Sequence, residues 1–147
     1  MAYRYTMADL NGAVRGLNRI AGFSEEEADA PLWTRGEDGQ NRAMVGRYTL
    51  QGAYGGWQLQ QIVNEGGGVR SITSGYGTKR EVYHLIHAYR EGMAAGRGDD
   101  RYTLEALRAS IPAYRAERAA YAARLAESRA EMSQDGIPAY DSNGVAR

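Results

Sequence analysis

The chain has 147 residues, of which 43% are hydrophobic and 24% charged, a composition typical of one globular domain. It has 18 basic and 18 acidic residues, so a net charge of zero gives no overall attraction to nucleic acid or anionic lipid. The absence of cysteine excludes disulfides, thiolate metal sites and a cysteine nucleophile, and the N-terminus lacks the apolar stretch of a signal peptide, so we expect a cytoplasmic protein.

The first predicted helix runs from Met7 to Ala21, with a capping-box pair at Thr6 and Asp9 and a glycine stop at residue 22. Ser24 predicts a second, short helical turn within an acidic segment, residues 23–40. The glutamates of that turn either complement its dipole or form a patch for a basic partner.

Alternating apolar residues then predict antiparallel strands. Residues 32–34 and 42–45 form a short predicted pair, and three longer strands follow from Tyr48. Gly55-Gly56 is predicted as a two-residue hairpin turn, residues 64–68 as a longer turn, and residues 69–73 as the last strand.

A second amphipathic helix begins after Thr78, with Glu81 completing a third capping box. Its apolar stripe is predicted to lie on the sheet and consists of Val82, Leu85, Ile86, Tyr89 and Met93. Its opposite face presents the candidate partner-binding residues Lys79, Arg80, Tyr83, His84, His87 and Arg90.

The fold class predicted is α+β: an N-terminal helix, a three- to four-strand antiparallel meander, a covering helix and a helical C-terminal tail. The RGDD segment, residues 97–100, separates a core domain (1–96) from an Ala- and Arg-rich helical extension (97–133), and residues 134–147 are predicted to be flexible. Pro112 is predicted at the first helical position after a kink. The extension adds three candidate partner contacts, Tyr114, Arg118 and Tyr121, on a stripe whose residues recur every seven positions. The same stripe could instead join two copies of the chain in a homodimer.

Little in the chain points to catalysis. Glu81, His84 and His87 are spaced to face one side of a helix, but no cysteine or third histidine completes a structural zinc site, so neither a metal nor another cofactor is expected. No nucleophile–base pair emerges. Residues 75–80 place glycines and two cations at a helix start, which indicates either a phosphate site or simply a capped helix.

The run GYGTKREV, residues 75–82, and the order helix, three strands, helix resemble the double-stranded-RNA-binding domain. That resemblance implies that Lys79 and Arg80 contact phosphates at the start of the second core helix. The chain departs from the family in its long acidic segment before Tyr48 and in its Gly55-Gly56 hairpin.

Over about residues 10–95 the chain is also similar to a group of small proteins from phages and prophages. The similarity rests on residues 17–19, LNR, and 33–35, WTR, on YTLQGAYGGWQLQQIVNEGGGV, and on TKREVY and HAYREGM. It implies a phage origin, and small phage proteins often bind and disable host or defence machinery. The sequence therefore predicts a non-enzymatic interaction protein with a protein partner, with a nucleic-acid-binding module as the alternative.

Overall fold

The computed structural model describes residues 2–96 and 102–134 and confirms the predicted α+β class. The chain divides into two compact units, Met1–Ile111 and Pro112–Arg147. The elements are α1 (Met7–Ala21), α2 (Glu25–Asp29), β1 (Trp33–Arg35), β2 (Asn41–Ala43), β3 (Tyr48–Ala53), β4 (Gly56–Ile62), β5 (Val69–Ser71), α3 (Lys79–Ala94) and α4 (Leu104–Gln134).

The strands form two antiparallel sheets, which correspond to the predicted short pair and to a meander of three strands. β1 and β2 pair with each other, and a separate sheet has the order β3-β4-β5. Directly opposite residues include Tyr48 with Gln61 and Leu50 with Leu59. The sheet gains one further step where Gly77 exchanges two backbone hydrogen bonds of 2.8 Å with Trp57, immediately before α3.

The hairpin turn between β3 and β4 lies one residue earlier than predicted. Ala53 pairs with Gly56, so Tyr54 and Gly55, with φ of 53° and 73°, are its two central residues. This pair of positive φ angles is typical of a type I′ turn. Gly56 belongs to β4, where a Cβ would come within 3.0 Å of the Gly77 carbonyl oxygen, so the second glycine provides close backbone approach and not turn geometry.

Helices α1 and α3 pack against one face of the three-stranded sheet. The buried cluster comprises Leu10, Ala13, Val14 and Leu17 of α1, Tyr48 and Leu59 of the sheet, and Val82 and Ile86 of α3. The prediction for Leu85 was wrong, because its side chain is 47% exposed. Tyr83 packs against the core in its place, on a helix that contacts α1 as well as the sheet.

The capping boxes predicted at α1 and α2 are both present. At α1 the Thr6 hydroxyl accepts a hydrogen bond from the Asp9 backbone N–H, and the Asp9 carboxylate accepts one from the Thr6 N–H. At α3 the predicted capping box is only half formed: the Glu81 N–H donates to the Thr78 hydroxyl at 3.2 Å, without the reciprocal bond to the Glu81 carboxylate. These bonds fix the ends of the helices that carry the core.

Helix α4 begins at Leu104 and contains Pro112 in its interior, so the helix start predicted at Pro112 was wrong. Its first turns belong to the first unit: Leu107 is buried, and the Leu104 side chain lies against Gly22 and Gly46. The chain therefore divides after Ile111, beyond the predicted boundary at residue 96. The RGDD segment and nearly all of the C-terminus predicted to be flexible lie outside the described residues.

Candidate functional site

Five aromatic rings form a continuous cluster where the N-terminal segment crosses the start of α3. Tyr5 is central, with ring centroids 4.9 Å from Tyr3, 4.8 Å from Tyr83 and 5.5 Å from His84. Tyr83 in turn contacts His87, with the ring centroids 4.6 Å apart. We call Tyr3, Tyr5, Tyr83, His84 and His87 the aromatic face.

Hydrogen bonds hold the exposed side of the aromatic face. The Tyr5 hydroxyl and His84 Nε2 are 3.2 Å apart, and the Tyr3 hydroxyl donates to Asp9 Oδ1 at 3.0 Å. The Asp9 carboxylate, by accepting that bond, raises the pKa of Tyr3. Tyr3 is 68% exposed and His84 is exposed, whereas Tyr5 and Tyr83 are half-buried. His87 is half-buried as well, so the face is open to solvent mainly through Tyr3 and His84.

Three cations border the aromatic face. Arg4, Lys79 and Arg80 line a concavity of about 430 Å³ together with Tyr3 and Tyr5. Lys79 and Arg80 are the first two residues of α3, where the helix dipole is positive. Positive charge from three side chains and from the helix end therefore converges beside exposed rings.

Sequence reasoning missed the N-terminal contribution to this site. Tyr3, Arg4 and Tyr5 precede the first helix and lie far from α3 along the chain, so the sequence does not indicate that this segment contacts α3. The one available signal is the alternation Tyr-Arg-Tyr directly before the Thr6 cap, which is unusual for an unstructured terminus. The structure joins these residues to five of the predicted ones, Lys79, Arg80, Tyr83, His84 and His87.

The other predicted residues lie elsewhere. Arg90 is half-buried between α1 and α3, with its guanidinium over Gly16, and it lines a different cavity. Tyr114, Arg118 and Tyr121 belong to the second unit, where Tyr121 is 48% exposed. Their role as contacts of a partner or of a homodimer remains a prediction.

Two tyrosine hydroxyls, those of Tyr48 and Tyr89, take part in a partly buried network. The Arg70 guanidinium donates to Gln61 Oε1 at 2.8 Å and to the Tyr89 hydroxyl at 3.0 Å, and the Tyr89 hydroxyl lies 3.2 Å from that of Tyr48. Burial, followed by the bond to Tyr89, raises the pKa of Tyr48 well above its usual value. Arg70 also stacks on Tyr102, 4.0 Å from the ring centroid. This network explains part of the tyrosine content as structural.

The acidic segment is largely neutralised within the chain. Asp29 pairs with Arg15 at 2.7 Å, and two glutamates of α2, Glu25 and Glu27, pair with Arg19 and Arg108. These contacts favour the interpretation of the segment as a capped, ion-paired turn over a patch for a basic partner.

Across the described parts of the chain, no group of three or more His, Asp or Glu side chains is arranged to hold a metal ion, and no helix is long and apolar enough to cross a membrane. Comparison with protein-family models, curated proteins and solved structures finds no match to this chain. The function must therefore be argued from the aromatic face and its surroundings.

Proposed function

We propose that this chain is a non-enzymatic interaction protein whose aromatic face binds a protein partner. The observation that carries the proposal is the unbroken contact among Tyr3, Tyr5, Tyr83, His84 and His87 on the surface of α3. Tyrosine and arginine are enriched in the buried centres of protein interfaces, because they offer large contact areas with few rotatable bonds. A rigid ring cluster loses little side-chain entropy on binding.

The ring geometry favours a protein over a nucleic acid. Tyr3 meets Tyr5 at 83° and His84 meets Tyr5 at 69°, so in each pair the edge of one ring covers one face of the other. Single-stranded nucleic acids need open ring faces on which bases stack. The aromatic face combines its rings with hydroxyls and imidazole nitrogens, which suit the mixed polar and apolar surface of a protein.

The similarity to small phage and prophage proteins supplies the context of the proposal. On that basis the partner is a host or defence complex in the cytoplasm, and binding inhibits it. The border of Arg4, Lys79 and Arg80 favours an acidic surface on that partner.

Co-purification from the cells that encode the protein tests the proposal. Tyr3→Ala combined with His84→Ala removes exposed rings and should abolish recovery of the partner while leaving the fold intact. Tyr121→Ala removes an exposed ring of the second unit, which is the alternative candidate contact, and should retain the partner if the aromatic face is the binding surface. Equal recovery with both variants, or no specific partner with the unaltered protein, would reject the proposal.

Nucleic-acid binding is the second candidate, and the convergence of Arg4, Lys79 and Arg80 at one concavity favours it. It predicts affinity for duplex RNA or DNA that falls steeply with salt. Lys79→Glu with Arg80→Glu should then abolish binding. Unchanged affinity of this variant would remove the candidate.

A further inference from the structure

The outer edge of β3 is open along part of its length. β3 has a hydrogen-bonded neighbour on one side, β4, within the described sheet. The odd-numbered residues of this strand bond to β4. This follows from the closing pair Ala53–Gly56 and from the bond that the Ile62 N–H donates to the Arg47 carbonyl just before the strand. Antiparallel ladders alternate, so Tyr48, Leu50 and Gly52 direct their N–H and C=O groups outward.

Asn18 closes one end of this edge. Its side-chain amide bonds to both backbone groups of Tyr48, as a neighbouring strand would, with the Tyr48 N–H donating to Oδ1 at 2.7 Å and Nδ2 donating to the carbonyl at 3.1 Å. Leu50 and Gly52 have no such cover among the described residues. Four backbone groups thus face outward together, which is the template that an added strand requires.

A groove of about 480 Å³ runs beside this edge, between β3 and α1. Met7 and Val14 of α1 line it together with Leu50 and Trp57 of the sheet. Opposite residues on adjacent strands point to the same face, so the side chain of a residue paired with Leu50 would enter the groove. The groove therefore accepts an apolar side chain at alternate positions of an extended segment.

The end of the groove near Asn18 carries excess positive charge. Arg15, Arg47 and Asp29 line it, two cations against one anion, and Arg15 already pairs with Asp29. Arg47 donates to the carbonyls of Ala28 and Ala30, which are neutral acceptors, and its Nε is buried without a hydrogen-bond partner. An anionic group on the occupant would complement this end.

We propose that the groove between α1 and β3 binds an extended segment of a partner protein as an added strand, with apolar residues at alternate positions and an acidic residue at the Arg15–Arg47 end. Main-chain bonds to Leu50 and Gly52 supply affinity, and the groove selects the side chains. None of the five residues of the aromatic face lines the groove, although Trp57 lines both the groove and the concavity beside that face. The proposal does not depend on the function proposed for the aromatic face.

Gly12 offers a way to block the groove without damaging the fold. It lies on α1, lines the groove, and a Cβ built there meets nothing within 4 Å. Gly12→Leu should therefore fill the groove while raising helix propensity. Gly92→Leu is the matched control, because Gly92 is also helical, has equally open surroundings, and does not line the groove.

The test selects a random peptide library on the full-length protein and then measures the enriched peptides. We expect the enriched peptides to share an apolar-x-apolar pattern with a neighbouring Asp or Glu. The Gly12→Leu variant should lose peptide binding and the Gly92→Leu variant should keep it. The Arg15→Gln variant should bind the peptides about two- to fivefold more weakly. At a peptide concentration ten times its Kd, hydrogen exchange at the Leu50 and Gly52 amides should slow about tenfold.

Three results would overturn the proposal. One is a library without enriched peptides. Another is a set of peptides that bind Gly12→Leu unchanged or leave the Leu50 and Gly52 amides unprotected. The third is a dimer that light scattering detects without peptide, whose Leu50 and Gly52 amides are already protected. If Gly12→Leu dissociates that dimer, the occupant of the groove is a second copy of the chain.

Discussion

The side chain of Asn18 and the backbone of Tyr48 bond to each other in both directions, with distances of 2.7 and 3.1 Å. Asn18 is 1% exposed and Tyr48 is 2% exposed, so both bonds are shielded from water. One side-chain amide thus fixes α1 to β3, the first strand of the three-stranded sheet. It also limits how much of that strand stays open.

Replacing this amide should be costly. Asn18→Leu leaves the buried N–H and C=O of Tyr48 unpaired, and we expect a loss of about 2–3 kcal/mol in the free energy of unfolding. Urea unfolding would show a lower midpoint with an unchanged slope. Asn11→Leu, an exposed asparagine on the same helix, should stay within about 0.5 kcal/mol of the parent protein. Equal effects of the two changes would show that the Asn18 pair is not important.

Acid should weaken the N-terminal helices through their capping carboxylates. Bonds from the backbone N–H groups of Thr6 and Ser24 lower the pKa of Asp9 and Glu27 below their usual values of 3.8 and 4.5. A carboxylate with a lowered pKa in the folded state contributes stability above the usual pKa, and the contribution is lost as pH falls through the lowered value.

The melting temperature should therefore fall in acid, starting below the usual pKa of each group. Asp9→Asn removes one titrating group, so part of the fall should disappear in that variant. A melting profile of Asp9→Asn that runs parallel to the parent throughout the acid titration would contradict this explanation.

Gly46 should resist substitution more strongly than another glycine with a similar backbone. Gly46 and Gly55 have φ of 90° and 73°, so alanine is strained at both, by about 1 kcal/mol or more. At Gly46 a Cβ would also come 2.7 Å from Leu104 Cδ1, whereas at Gly55 it meets nothing within 4 Å. Thermal unfolding should show Gly46→Ala as the less stable variant. Equal melting temperatures would show that Leu104 adjusts without cost.

The length of chain needed by the first unit is a further prediction. A chain ending at Ile111 keeps Leu104 and Leu107 in place and should unfold with the same free energy as the full chain. A chain ending at Gly96 loses both leucines and should be less stable by about 3 kcal/mol or more. Chemical denaturation of the three lengths provides the measurement. Equal stability of the two shortened chains would support the boundary predicted from sequence.

Local signals in the sequence predicted much of this fold. The capping boxes at Thr6 and Ser24 and the alternation after Tyr48 depend on neighbouring residues, so they were recognisable in the sequence. The turn between β3 and β4 lies one residue earlier than predicted because either glycine fits a local turn. Gly56 belongs to the strand through its pairing with Ala53 and its close approach to Gly77.

The candidate site was predicted in part. Lys79, Arg80, His84 and His87 were recognisable as a polar helix face, but the arrival of Tyr3 and Tyr5 beside them depends on how the N-terminus crosses α3. Leu85 and Tyr83 exchanged their expected environments because the helical stripe alone does not reveal that α1 packs beside α3. Tertiary contacts of this kind have no short-range sequence pattern.

The central claim is that the aromatic face binds a protein. Photo-crosslinking in the cells that encode the chain tests it most directly, with a photoreactive phenylalanine at His84 and, as the control, at Tyr121. We predict a discrete adduct at position 84 that protease destroys and nuclease leaves intact. Adducts confined to position 121, or an adduct at position 84 that nuclease removes, would contradict the claim.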